Sequence, residues 1–170
     1  MKKSNLIVVS LMATFILPII IAVYLVNHPL YGGKHTHKGR LLSQTTHLKE
    51  IAKTPEKADK NKWLLIHYQP TQCLKDCQKS LQQLEWLYDI LGKNQHHTQL
   101  IYLAKHPLTS LSAKWLYLPT RSKVHQSLPP HSLRIIADPL QRPTLTYPLS
   151  QPIRDMLKDL KKLLTFSRSL

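Results

Sequence analysis

Residues 63–92 read WLLIHYQPTQCLKDCQKSLQQLEWLYDILG. Trp63 to Tyr68 is an apolar run of strand length that Pro70 brings to an end, the pattern of a buried strand. From Cys73 to Leu91 apolar side chains return at intervals of three and four: Leu74, Cys77, Leu81, Leu84, Tyr88 and Leu91. That spacing predicts an amphipathic helix, with Gly92 as its stop. A strand running directly into a helix begins a β-α unit, and both cysteines of the chain fall at its turn.

Working outward, Thr98 to Ala104 (TQLIYLA) reads as a second strand, completing β-α-β. The stretch from Lys105 to Pro130 is broken by Pro107, Pro119, Pro129 and Pro130 and reads as irregular, with a short helix over Leu108 to Trp115. Ser132 to Ala137 (SLRIIA) and Pro143 to Tyr147 (PTLTY) read as two more strands, joined by the turn signal Asp138-Pro139-Leu140-Gln141 into an antiparallel hairpin. Ser150 can cap a last helix with Ile153, Leu157, Leu160 and Leu164 on one face. The order β-α-β then β-β-α is that of an α/β, thioredoxin-like domain, here spanning 62–170.

Before this domain lies a segment of a different kind. Leu6 to Val26 holds 21 residues without a charge, long enough at 1.5 Å per residue to cross a bilayer core. Pro18 within it is tolerated better in a membrane helix than in a soluble one. The run exceeds an ordinary cleavable apolar region and no A-x-A-like site follows, so residues 1–27 read as an uncleaved transmembrane signal anchor, the alternative being a cleaved signal peptide that would release the same domain. Lys2 and Lys3 favour an inside N-terminus, while Lys34, Lys38 and Arg40 oppose it; large domains translocate largely regardless of charge. The expectation is a single-pass protein of a bacterial inner membrane with its C-terminal domain in the periplasm. Residues 28–61, with Pro29, Gly32-Gly33, Gly39, Pro55 and many lysines, read as a juxtamembrane linker.

The chain has 170 residues, 24 Lys plus Arg against 9 Asp plus Glu, and a formal charge of +15. Such an excess calls for an anionic neighbour, and lipid or an acidic assembly partner fits a tethered domain better than nucleic acid. Two cysteines are too few for a disulfide-dense scaffold or a four-thiolate zinc site. The four glycines have no phosphate-loop spacing, and no serine stands in a nucleophile elbow. Asp155 and Asp159 fall among Arg154, Lys158, Lys161 and Lys162, which reads as a solvated, ion-paired helix face and not an acid/base pair.

The remaining chemistry is Cys73-x3-Cys77. Four residues apart on a helix, the Cβ atoms lie roughly 5–6 Å from each other. That distance serves a disulfide, or two thiolates sharing one soft metal. A helix N-terminus favours the thiolate; Lys75 adds to this and Asp76 opposes it. The plain alternative is two small buried hydrophobes, since free cysteine is a common core residue. A general thiol-disulfide oxidoreductase would prefer C-x2-C.

The anchor, Gly39-Arg40-Leu41-Leu42, Trp63-Leu64-Leu65 leading to Pro70-x-x-Cys73-x3-Cys77, Leu91-Gly92-Lys93, Asp138-Pro139-Leu140, Tyr147-Pro148 and Leu157-Lys158-Asp159-Leu160-Lys161 together resemble the membrane-anchored, thioredoxin-like proteins related to the Sco family of cytochrome oxidase assembly factors. The likeness runs loosely over nearly the whole chain. It implies that Cys73 and Cys77, with a downstream histidine, bind copper or reduce a partner's thiols for cytochrome c oxidase, a subunit or assembly factor of that enzyme being the partner. His131 holds the histidine's place; the alternative is a polar residue opening a strand after Pro129-Pro130. Three features depart from the family pattern. Gln78 stands where proline follows the second cysteine, Gln141 stands where the turn has glycine, and the spacing from His131 to Asp138-Pro139 is about one residue short. A second function class therefore stays open, a non-catalytic membrane-anchored interaction module. Five further histidines read as structural: His67 in the first strand, His96-His97 in a turn, and His35-Thr36-His37 as polar linker, its alternative being a metal-trapping tract.

Overall fold

The computed structural model describes residues 3–27, 37–42, 47–122, 124 and 128–167, with side chains of the first helix given over 11–24. The chain divides between Thr36 and His37 into two units. The first contains helix α1, Lys3–Asn27, with Pro18 inside. Its side chains at 11–24 are exposed and mostly apolar, among them Leu11, Phe15 and Ile19. Among the described residues no helix is long and apolar enough to cross a membrane. His35 and most of the expected linker's first part, 28–36, lie outside the described residues, as do 43–46.

The second unit is built on a mixed sheet of six described strands: β1 (Arg40–Leu41), β2 (Trp63–Gln69), β3 (Thr98–Ala104), β4 (Trp115–Pro119), β5 (Leu133–Ala137) and β6 (Pro143–Pro148). Their spatial order is β1-β6-β5-β2-β3-β4. β2, β3 and β4 run parallel, while β5, β6 and β1 join antiparallel on the other side. Helices α2 (Leu48–Ile51), α3 (Lys75–Asp89) and α4 (Ile153–Ser167) cover the sheet. Trp63 and Leu65 face α3 and α4, meeting Leu81, Leu84, Met156 and Leu160. Leu64, Ile66 and Tyr68 face the other way, onto Leu48, Ile51, Val124 and Leu128. β2 is buried along its full length on both faces, which is why it reads as a continuous apolar run without alternation. The expected β-α-β and β-β-α halves are both present, and the domain has the thioredoxin-like α/β architecture.

Several elements differ from the sequence reading. Leu108 to Trp115 is not helical; instead Trp115–Pro119 forms β4, an edge strand beside β3 that the surrounding prolines conceal. α3 starts at Lys75, so Leu74 is its N-cap and 69% exposed, while Leu87, outside the expected stripe, is fully buried. Residues 37–42 and 47–58, expected within the linker, pack onto the domain. β1 pairs with β6, and Leu48, Ile51 and Ala52 are fully buried.

Asp159 also differs. It is not on a solvated face but buried, and its Oδ2 accepts from the backbone N–H of Lys38 (2.6 Å), that of Gly39 (3.0 Å) and the Tyr147 hydroxyl (2.8 Å). A Cβ at Gly39 would lie 2.5 Å from the Tyr147 ring, so only glycine brings the backbone this close. Helix spacing places Asp159 among its helical neighbours and says nothing of amides arriving from 120 positions away.

Candidate redox site

The site grows from the C-terminal end of β2. Gln69 is the last residue of the strand and is buried, and its amide ties the following loop down. Its Nε2 donates to Thr71 Oγ1 (3.2 Å) and to the carbonyl of Gln72 (3.1 Å). Cys73 follows, then Cys77 in the first turn of α3, and the two form a disulfide with Cα atoms 5.2 Å apart. Cys77 is 3% exposed and packs in the core; Cys73 is half-buried. A cleft of about 590 Å3 borders Cys73, lined among others by Pro70, Gln72, Tyr102, Lys105 and His106. The bond is therefore approachable at the Cys73 sulfur and shielded at Cys77. Leu74 stands exposed beside it.

Behind the loop runs a buried polar chain. Gln69 Oε1 accepts from Ser132 Oγ (2.7 Å) and from His67 Nε2 (3.3 Å). With Nε2 protonated, His67 Nδ1 is an acceptor, so the Ser80 hydroxyl donates to it (3.2 Å) and in turn accepts from Arg134 Nε (2.9 Å). Burial is the main reason the His67 imidazole is held down to about 4; the nearby Arg134 charge acts the same way, and the hydrogen bond with Gln69 opposes both. His67 is thus a neutral, hydrogen-bonded core residue, stacked on Tyr102 at 6.0 Å between ring centroids. Arg134 is 2% exposed, and every acceptor it meets is neutral: Ser80 Oγ, Gln83 Oε1 and the carbonyls of Leu149 and Gln151.

His131 is exposed just before β5. Its neighbour Ser132 reaches the cysteine loop through Gln69, so the His131 segment and the loop share one hydrogen-bonded support. Among the described residues no three His, Cys, Asp or Glu side chains are grouped to hold a metal ion. The cysteines are brought together; His131 is placed on the adjoining segment. Sequence reasoning missed Gln69 and Arg134. The only signal either carried was its polar character inside an apolar strand.

This arrangement of a parallel β-α-β unit, a disulfide at its turn and a closing hairpin and helix can be set beside known proteins. A family model described as the transmembrane-like, thioredoxin-like, C-terminal domain matches residues 63–167. The chain belongs to this family. No curated protein matches the sequence. Among solved structures, yeast Sco1 with copper bound is similar over 62% of this chain and 80% of its own, at 10% identity and a TM-score of 0.51. The yeast mitochondrial 1-Cys peroxiredoxin is similar over 76% of this chain and 78% of its own, at 12% identity and a TM-score of 0.54. Copper-bound ScoI of Bradyrhizobium japonicum is 20% identical over 63% of this chain and 88% of its own, with a TM-score of 0.47. At these identities the likeness is one of fold.

Proposed function

We propose that this chain is a membrane-tethered thioredoxin-like protein that assists cytochrome c oxidase assembly through Cys73 and Cys77, by thiol-disulfide exchange or by carrying Cu(I). The observation that carries the reading is the Cys73–Cys77 disulfide opening onto a cleft at the β2–α3 turn. In exchange, a partner thiolate attacks the accessible Cys73 sulfur, forming a mixed disulfide and releasing Cys77 as thiolate. The partner's second thiolate then displaces Cys73. In this direction the partner loses two electrons and becomes a disulfide while Cys73 and Cys77 end as thiols once protonated; in reverse, Cys73 thiolate attacks a partner disulfide, Cys77 thiolate resolves the mixed disulfide, and the partner gains two electrons and leaves as thiols, the reducing direction that the resemblance implies.

Reduced, the same pair offers two soft thiolates at the β2–α3 turn, Cys73 just before the helix and Cys77 in its first turn, a donor set suited to Cu(I) as cargo. His131 is the proposed third donor, supported by the Ser132–Gln69–Gln72 link between its segment and the loop. The Sco structures described with copper bound motivate testing this metal first. Residues 1–27 serve as anchor, supported by the uncharged Leu6 to Val26 run and the transmembrane-like description of the family. The proposed setting is single-pass in a bacterial inner membrane, N-terminus inside, domain in the periplasm.

The experiment is a Cu(I) competition titration of the reduced full chain in detergent against a calibrated chelator, paired with a redox titration of the disulfide. Expected are one Cu(I) per chain, loss of binding in the Cys73→Ser/Cys77→Ser double variant, and a weaker site in His131→Ala. Wild type binding no tighter than the double variant ends the copper reading. A pair that also fails to cycle leaves a non-catalytic interaction module. A fusion reporter after residue 60 that reads cytoplasmic would overturn the placement.

A further inference from the structure

A second cleft, of about 260 Å3, opens on the face of the sheet that α2 covers. Three cations line it, Lys53, Lys105 and Arg121, together with Thr120 and Ser122, and among the described residues no acidic side chain does. These cations come from distant parts of the chain, and backbone bonds gather them. Ala52 bridges to Thr120, Lys53 N–H donates to the Pro119 carbonyl (2.8 Å), Arg121 N–H to that of Ile51 (2.8 Å) and Thr120 N–H to that of Ala104 (3.1 Å). Arg121 Nε donates to the Ala52 carbonyl at 2.9 Å, and neither terminal amino group has a hydrogen-bond partner among the described residues. None of the three is in a salt bridge among the described residues.

An independent observation points the same way. Tyr68 lines this cleft, is fully buried, and its hydroxyl has no hydrogen-bond partner among the described residues. A buried hydroxyl left unpaired is costly, and native structures rarely keep one without a reason. Converging cations without counter-charge, beside an unsatisfied donor, describe a site whose missing component is an acceptor carrying negative charge.

We propose that this cleft binds a phosphate group, held by Lys53, Lys105 and Arg121 with the Tyr68 hydroxyl as a fourth donor. Three cations match a doubly charged oxyanion; a single carboxylate would leave two of them uncompensated. The cleft shares Pro70 and Lys105 with the one bordering Cys73, so its occupant sits against the loop that carries the cysteines. Free phosphate and the headgroup of a phospholipid present the same chemistry.

The test measures thermal unfolding and calorimetric affinity of the full chain in detergent, titrating inorganic phosphate against chloride at equal ionic strength. A parallel arm uses nanodiscs of phosphatidylcholine with and without phosphatidic acid. Phosphate, phosphatidic acid or both should raise the midpoint. A response in detergent identifies free phosphate as ligand; a response in nanodiscs alone identifies the headgroup. Lys53→Gln, Lys105→Gln and Arg121→Gln should each weaken binding about tenfold, the worth of one charge-assisted bond. Tyr68→Phe should leave the phosphate-free midpoint equal or higher, since it deletes an unpaired hydroxyl, while lowering phosphate affinity. A merely structural tyrosine would not produce that opposed pair of effects. Reducing the disulfide should leave phosphate binding in place, which separates this site from the cysteine chemistry. Equal responses to phosphate and chloride together with no response to phosphatidic acid, or variants that bind as wild type does, overturn the proposal.

Discussion

His67 shows how one residue's surroundings become a property of the protein. Its imidazole sits in the dry interior between Gln69 and Ser80, with the Arg134 guanidinium close behind, and burial alone makes a second charge there costly. The folded value near 4 lies below the ordinary 6.5, so between those two values the unfolded chain binds a proton that the folded chain refuses. Stability from this group is therefore complete above about pH 6.5 and is lost as pH falls toward 4. The gap, at 1.36 kcal/mol per pH unit, caps the loss at about 3 kcal/mol. Denaturant midpoints measured from pH 7 to pH 4 should fall for wild type and fall less for His67→Gln. Parallel curves for the two proteins would show that other groups govern the acid limb. The sequence placed His67 in a core strand; that its ring is satisfied on both nitrogens rests on Ser80, thirteen positions on.

At the scale of elements, the β5–β6 hairpin illustrates a local rule broken for a tertiary reason. The turn after Asp138-Pro139 closes with Gln141 at φ +61°, a conformation glycine would adopt without strain. Asp138 organises the turn: its Oδ1 accepts the Arg142 N–H (2.8 Å) and its Oδ2 pairs with the Arg142 guanidinium (2.7 Å to Nε). Gln141 is kept because both its ends reach other elements. Its carbonyl accepts from Leu48 N–H (2.9 Å) and its Nε2 donates to the Ala58 carbonyl (3.1 Å), fastening the segment around α2 to the hairpin. Gln141→Ala keeps the strain and loses the side-chain bond, so it should destabilise by about 1 kcal/mol. Gln141→Gly loses the bond but removes the strain, about 1–2 kcal/mol, and should prove the more stable of the two variants. Urea midpoints in the reverse order would refute this account. The turn was legible from Asp-Pro, whereas the anchorage of α2 through it was not, because nothing in residues 43–61 announces a partner 80 positions away.

For the whole molecule, the compact unit from His37 onward is closed by a buried carboxylate. Asp159 on α4 collects the amides of Lys38 and Gly39 and the hydroxyl of Tyr147, joining the first and last described elements of the domain. A fragment covering 37–170 should unfold in a single transition, read by near-ultraviolet circular dichroism. A fragment beginning at 42 strips two of the three donors and leaves the charge buried; it should be less stable by about 3 kcal/mol, the worth of two bonds to a charged group. Equal midpoints for the two fragments would mean the closure contributes nothing. What the sequence determined by itself was whatever depends on neighbours close along the chain: the uncharged N-terminal run, the strands that read as apolar stretches, the helical periodicity of α3 and α4, and the C-x3-C pair at a strand-to-helix turn. Only the tertiary structure decided what depends on distant segments meeting: β1, α2 and β4 as parts of the sheet and its cover, Asp159 as a buried clasp, the Gln69 link from Ser132 to the cysteine loop, and the three cations around Tyr68. The division is physical. Periodicity and propensity act over a few residues, whereas burial and charge compensation are set by whichever segments the fold brings into contact.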